Sequence, residues 1–173
     1  MGALALGCAR QEGRITAPTS GGVGVAQGAA APEFSTKDIE GNEIQLSKHL
    51  GKDVILLNFC ATWCEPCLLE FPHLRRMYDA NKGKGLFMMA ISMDGPETIA
   101  NVPGFARRNQ LNFPMATDDD SRIAALYNPK KAAPLSIVID KAGKIVAVHE
   151  GFNVGDEDLI AKDIAKALGG AAP

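Results

Sequence analysis

No apolar run in the chain reaches the roughly 18 residues needed to cross a bilayer, so no membrane-spanning helix is expected. Charge of one sign does not accumulate either. The 18 Lys and Arg and 20 Asp and Glu leave a net charge of −2, without a basic run, which argues against nucleic-acid or anionic-membrane partners. Cysteine is too sparse for a disulfide-stapled scaffold, with four in 173 residues. Internal repeats are absent, and the three histidines are scattered. What remains is 46% hydrophobic and 22% charged, the composition of one globular domain with a real core.

The N-terminal stretch "GALALGCAR" is short, apolar and ends in Gly-Cys. It lacks the basic start and length of a full signal peptide. It resembles the tail of a bacterial lipoprotein signal, with Ala5 where leucine is usual, and that resemblance implies lipid attachment at Cys8. The Met-Gly start does not suit myristoylation, since Leu6 stands where Ser or Thr is wanted. Residues 9–31 are small, Gly-rich and without a hydrophobic period, as in a flexible linker. The expected division is a flexible segment over 1–30 and a folded domain over 31–170.

From Pro32 onward the pattern is structured. Gly41-Asn42 sits between alternating segments and predicts a hairpin. "DVILLNF" (53–59) and "GLFMMAIS" (85–92) read as buried strands. Between them, Leu68, Phe71, Leu74 and Tyr78 recur at helical spacing, with Pro72 expected to kink the helix. The region 94–128 mixes short helical pieces with a short strand around "NFPMATD". "DDDSRIAALY" predicts a helix capped by acid, not a calcium loop, whose ligand spacing and glycine are missing. "LSIVID" and "KIVAVH" form strands joined around "KAGK". A last helix is expected to be capped by Asp156, to bury Leu159, Ile160, Ile164 and Leu168, and to end at Gly169. This order predicts a mixed sheet with helices on both faces.

Three of the four cysteines fall in "NFCATWCEPC" (58–67). Such a cluster can bind metal, exchange electrons with another thiol pair, or partly fill a core. The Cys64-Glu65-Pro66-Cys67 segment lies where a buried strand hands over to a helix. A helix N-terminus carries unpaired N–H groups and about half a positive charge, which favours a thiolate. The two-residue spacing returns the second sulfur one turn later, so Cys64 can attack a disulfide and Cys67 can resolve the mixed disulfide. Pro66 suits the first turn, and Glu65 opposes ionisation and biases the pair toward a more reducing potential. The Cys60-x3-Cys64-x2-Cys67 spacing also matches radical-SAM iron–sulfur ligands, but the repeated β-α units of that barrel are missing. A zinc site lacks a second close Cys or His pair, and Cys60, at a strand end, reads as core filling.

"LLNFCATWCEPCLLEFPHL" resembles the thioredoxin-like proteins of the TlpA/ResA type, bacterial thiol-disulfide oxidoreductases of the cell envelope. The resemblance continues through "APEFSTKDIEGNEIQLSKHLGK" and "AAPLSIVIDKAGKIVAVHEG" and covers about residues 31–169. It implies an α/β thioredoxin-like fold: a central mixed β-sheet flanked by helices, an N-terminal β-hairpin and a central insertion at about 93–118. Cys64 then matches the exposed nucleophile and Cys67 the buried resolving thiol. Glu70 matches an acidic residue that moves protons for Cys67. Trp63, Glu65, Pro66, Ala133 and Pro134 form the substrate-facing set, with Pro134 as the cis-proline and Ala133 offering backbone groups to an extended substrate. The sequence departs from thioredoxins proper at Asn58, where they carry a buried Asp, and at Cys60, where an aromatic is common.

The resemblance implies an enzyme that needs no dissociable cofactor and holds no metal. Its expected role is reduction of disulfides in envelope proteins such as apocytochrome c, as a monomer. Electrons would come from a membrane thiol reductase of the CcdA/DsbD kind. The alternative is a thiol-based copper-binding chaperone of the same fold, which wants a nearby Met or His ligand. Met77, Met88, Met89 and Met93 are the nearest methionines, two of them in a core strand. Peroxidase chemistry wants Thr three residues before the reactive cysteine, and Ala61 stands there.

Overall fold

The structure, a computed structural model, describes residues 25–169. Cys8 and most of the expected linker lie outside these residues. A hairpin of β1 (Ser35–Lys37) and β2 (Glu43–Gln45) comes first, pairing Thr36 with Ile44. Gly41 makes its turn at φ +90°, a conformation that favours glycine. A second sheet holds β3 (Val54–Cys60), β4 (Leu86–Ser92), β5 (Met115–Thr117), β6 (Leu135–Ile139) and β7 (Ile145–Glu150). Its strand order is β5-β4-β3-β6-β7. Strand β3 runs parallel to β4 and antiparallel to β6, so the sheet is mixed as expected.

Strand β3 is central and buried at all seven positions, which explains its near-continuous apolar sequence. Its side chains alternate between two cores. Leu56 and Cys60 join Met88 on one face beneath α1 (Glu65–Asn81), α2 (Val102–Arg108) and α4 (Glu157–Ala167). Ile55, Leu57 and Phe59 join Met89 on the other, under the hairpin and α3 (Arg122–Tyr127). The expected insertion takes form as α2 and β5. Strand β5 adds to the sheet edge parallel to β4, and the Ile39 N–H donates to the Met115 carbonyl at 2.8 Å, tying the hairpin to that edge.

Several local expectations change. Helix α1 spans Glu65–Asn81 with Pro72 inside it. Phe71 and Leu74 are buried as expected and Tyr78 packs against the core, whereas Leu68 is exposed and Cys67 and Glu70 complete the buried face. Leu159 is likewise exposed on α4, where Ile160 and Ile164 make the core contact. Asp156 does not cap α4 with its side chain; its carboxylate accepts from the Asn153 N–H at 2.8 Å instead. Acid does cap α3: Asp118 accepts from the N–H groups of Ile123 (2.9 Å) and Ala124 (2.7 Å). Residues 25–31, compositionally part of the linker, pack along the β6–β7 turn. There the Gly28 N–H donates to the Ile145 carbonyl (2.7 Å) and the Ala31 N–H to the Gly143 carbonyl (2.8 Å).

Candidate active site

The site is built where β3 ends and α1 begins. Residues 61–64 turn the chain, with the Cys64 N–H donating to the Ala61 carbonyl at 3.1 Å. Cys64 is the N-cap of α1, and its sulfur accepts from the Cys67 N–H at 3.2 Å. Pro66 occupies the first turn, where its missing N–H leaves no bond unmade. Cys64 and Cys67 are joined as a disulfide. Both cysteines are buried in this disulfide form, Cys67 fully and Cys64 with slight exposure, where an exposed Cys64 was expected. Trp63 beside them is 64% exposed, a large aromatic surface presented at the rim.

Beneath the pair lies a closed polar triangle. Glu70 shares the Cys67 face of α1 at i, i+3 and is 1% exposed. Its carboxylate accepts from the Asn58 amide at 2.8 Å and from the Ser136 hydroxyl at 2.9 Å. The Asn58 amide also donates to the Ser136 hydroxyl oxygen at 3.0 Å. Asn58 and Ser136 face each other across the β3–β6 ladder, and each is the lone polar residue in an apolar strand. Burial pushes the Glu70 carboxyl up to about 7, against the downward pull of the Asn58 and Ser136 hydrogen bonds. A carboxyl at that value takes up and releases protons near neutrality, the property a proton carrier for a thiol needs.

A second network fixes the loop that carries Trp63 and Cys64. Asp94, at the end of β4, accepts from the Thr62 N–H at 2.8 Å, from the Thr62 hydroxyl, and from the Ser92 hydroxyl at 2.6 Å. The Met93 N–H donates to the Cys60 carbonyl at 2.8 Å. Trp63, Met93 and residues 95–98 line an open groove of about 490 Å³. The Ala133–Pro134 peptide bond, just before β6, is cis. The structure therefore brings together Trp63, Cys64, Cys67 and Glu70 on one loop-helix unit and sets Pro134 at the start of the neighbouring strand β6.

Cys60 is a free, fully buried thiol in the α1-side core. Burial, and then the charges of Glu70 and Asp94, push its pKa upward, which keeps it a thiol and unreactive. Of the methionines considered as metal ligands, Met88 and Met89 are buried on opposite faces of the sheet. The histidines make local pairs instead: His49 with Asp53, His73 with Glu157 and His149 with Asp163. Sequence reasoning missed Ser136, Asp94 and Thr62. A single polar residue inside an apolar strand was the available signal for Ser136; the Thr62–Asp94 bond joins segments 32 positions apart and nothing local marks it.

Residues 27–148 match the family described as AhpC/TSA. The thiol-disulfide oxidoreductase ResA of Bacillus subtilis is 35% identical over 148 residues, 86% of this chain and 80% of its own. ResA of Bacillus cereus is 40% identical over 119 residues, 69% of this chain, and the match spans 66% of that relative's length. A solved Chlorobium tepidum structure, named for the thiol:disulfide interchange protein DsbE, is 30% identical with a TM-score of 0.76, covering 83% of this chain and 99% of its own. The chain belongs to the AhpC/TSA family, and within it to the thioredoxin-like thiol-disulfide oxidoreductases of the ResA type.

Proposed function

We propose that the protein is an extracytoplasmic reductase of disulfides in envelope proteins, apocytochrome c among them. The observation that carries this reading is the Cys64–Cys67 pair at the α1 N-terminus above a buried Glu70 poised near neutrality. In the dithiol form, the Cys64 thiolate attacks one sulfur of the substrate disulfide. A mixed disulfide forms, and the displaced substrate sulfur leaves as a thiolate and is protonated. Cys67 then gives its proton to the Glu70 carboxylate and attacks the Cys64 sulfur. The second substrate sulfur leaves as a thiolate and is protonated, Glu70 releases the proton it took from Cys67, and the enzyme is left with the Cys64–Cys67 disulfide. Two electrons and two protons pass to the substrate.

Trp63, Glu65 and Pro66 border the incoming disulfide, and the backbone at Ala133 and the ring of Pro134 form the opposite edge. A membrane thiol reductase of the CcdA/DsbD type restores the dithiol, and lipid attachment at Cys8 holds the domain near it. The reductive direction is supported by Glu65 between the cysteines, whose charge opposes thiolate formation. Reduction of insulin disulfides tests the reading: wild-type protein turns over and Cys64→Ser does not. Equal rates for the two would overturn Cys64 as nucleophile. A potential more negative than that of glutathione is expected for the pair, and a strongly oxidising one would reverse the direction of flow.

A further inference from the structure

Asn128 closes α3, and its side chain is buried. That amide pairs with both backbone groups of Ala132: it donates to the Ala132 carbonyl at 2.7 Å and accepts the Ala132 N–H at 2.9 Å. It also donates to the Met93 sulfur at 3.3 Å. The Lys131 N–H returns to the Asn128 carbonyl at 2.9 Å, with Lys131 itself at φ +54°. Residues 128–132 are thereby clasped into one compact turn. Two residues beyond Ala132, the Pro134 carbonyl accepts from the Gly151 N–H at 2.8 Å. Between these two anchors, the backbone N–H and C=O of Ala133 take no hydrogen bond among the described residues. They form a one-residue open edge. Met93, the other partner of the amide, lines the groove beside Trp63 and is bonded through its N–H to Cys60 at the end of β3.

We propose that Asn128 is a positioning residue for capture of the substrate protein, holding the Ala133 edge and the Met93 wall of the groove in fixed relation to one another. Asn128 is too buried to meet substrate itself. It acts by ordering in advance the loop that an extended segment pairs with, so that this ordering is not paid on binding. The inference rests on the reading of Ala133 as a docking edge. A small disulfide uses no such edge and needs only the sulfur of Cys64.

Steady-state kinetics of the full chain with insulin and with a small aromatic disulfide separates these roles. Asn128→Ala raises KM for insulin about tenfold, the loss of two to three hydrogen bonds and of loop order, with kcat and the small-disulfide rate unchanged. Asn128→Asp keeps an acceptor for the Ala132 N–H and loses both donations; its KM lies between, and it carries the test should the alanine variant fail to fold. An unchanged insulin KM, or an equal slowing with both substrates, overturns the proposal. Ala133→Pro, which deletes the open N–H, distinguishes the two levels. If it raises the insulin KM while Asn128→Ala does not, the docking edge stands and the role of Asn128 falls. If it leaves KM unchanged, the docking edge falls and the proposal with it.

Discussion

Glu70 and Asp94 are both buried carboxylates near the redox pair, Glu70 on α1 and Asp94 just past β4, yet their environments drive them in opposite directions. Burial dominates at Glu70, where two side-chain donors only partly offset it, and the carboxyl rises to about 7. At Asp94 burial also pushes upward, but the hydroxyls of Ser92, Thr62 and Thr98 and the Thr62 N–H together outweigh it and hold the group below the usual aspartate range. The heavier burial of Glu70 and the larger number of donors aimed at Asp94 together decide the sign. Asp94 is thus a permanent anion serving as a latch for the Thr62–Cys64 loop, and Glu70 a titrating group under Cys67. A fold can place a structural acid and a chemical acid near the same disulfide by changing how deeply each is buried and how many N–H and O–H groups face it.

The widest break in this comparison is expected from Asp94→Ala. It leaves the Thr62 N–H and the hydroxyls of Ser92, Thr62 and Thr98 without their acceptor, which costs about 4 kcal/mol at neutral pH. Thermal unfolding should then fall by roughly 10 °C. A loss under a few degrees would show that the latch is not structural.

The pH dependence of stability separates the two acids next. Glu70 has a folded pKa above its unfolded value, so its contribution is fully present below about 4.5 and is lost as pH rises through about 7. Asp94 has a lowered folded pKa, so its contribution is present above its unfolded value near 3.8 and is lost as pH falls through the folded one. Glu70→Gln should therefore match wild type at pH 4 and exceed it at pH 8 by up to about 3 kcal/mol, read by denaturant titration. Its thiol exchange should fall by about a hundredfold, since the amide carries no proton. A Gln variant destabilised at pH 8 would mean that Glu70 is ionised comfortably in the fold.

The smallest effect is expected from Ser136→Ala. Removing one of the two donors should raise the Glu70 pKa further, by about one unit, worth about 1.4 kcal/mol. The pH profile of insulin reduction should move upward accordingly while its plateau is kept. A profile that stays in place would leave Asn58 as the sole tuner of the carboxyl.

Much of this site was legible before any coordinates. The seven buried residues of β3 announce a central strand, and a Cys-x-x-Cys with Pro66 inside it announces a helix start. The hairpin at Gly41 and the acid cap on α3 also follow from local chemistry. The misread positions share one cause. Leu68 and Leu159 have helical spacing to their neighbours, but only the partner surface decides which stripe of a helix is covered. Asp156 has the right residue type in the right place, yet the Asn153 N–H competes successfully for its carboxylate. The Glu70–Ser136 bond spans 66 positions of sequence and the Thr62–Asp94 bond 32, distances over which local pattern carries no information.

The sequence by itself determined the chemistry available: two thiols one helical turn apart, placed at a helix N-terminus because strand and helix propensities change there. Tertiary structure decided how that chemistry is controlled. Protonation depends on desolvation and on donors brought from other elements, so the raised pKa of Glu70, the anionic state of Asp94 and the inertness of Cys60 exist only once β3, β4, β6 and α1 have packed together.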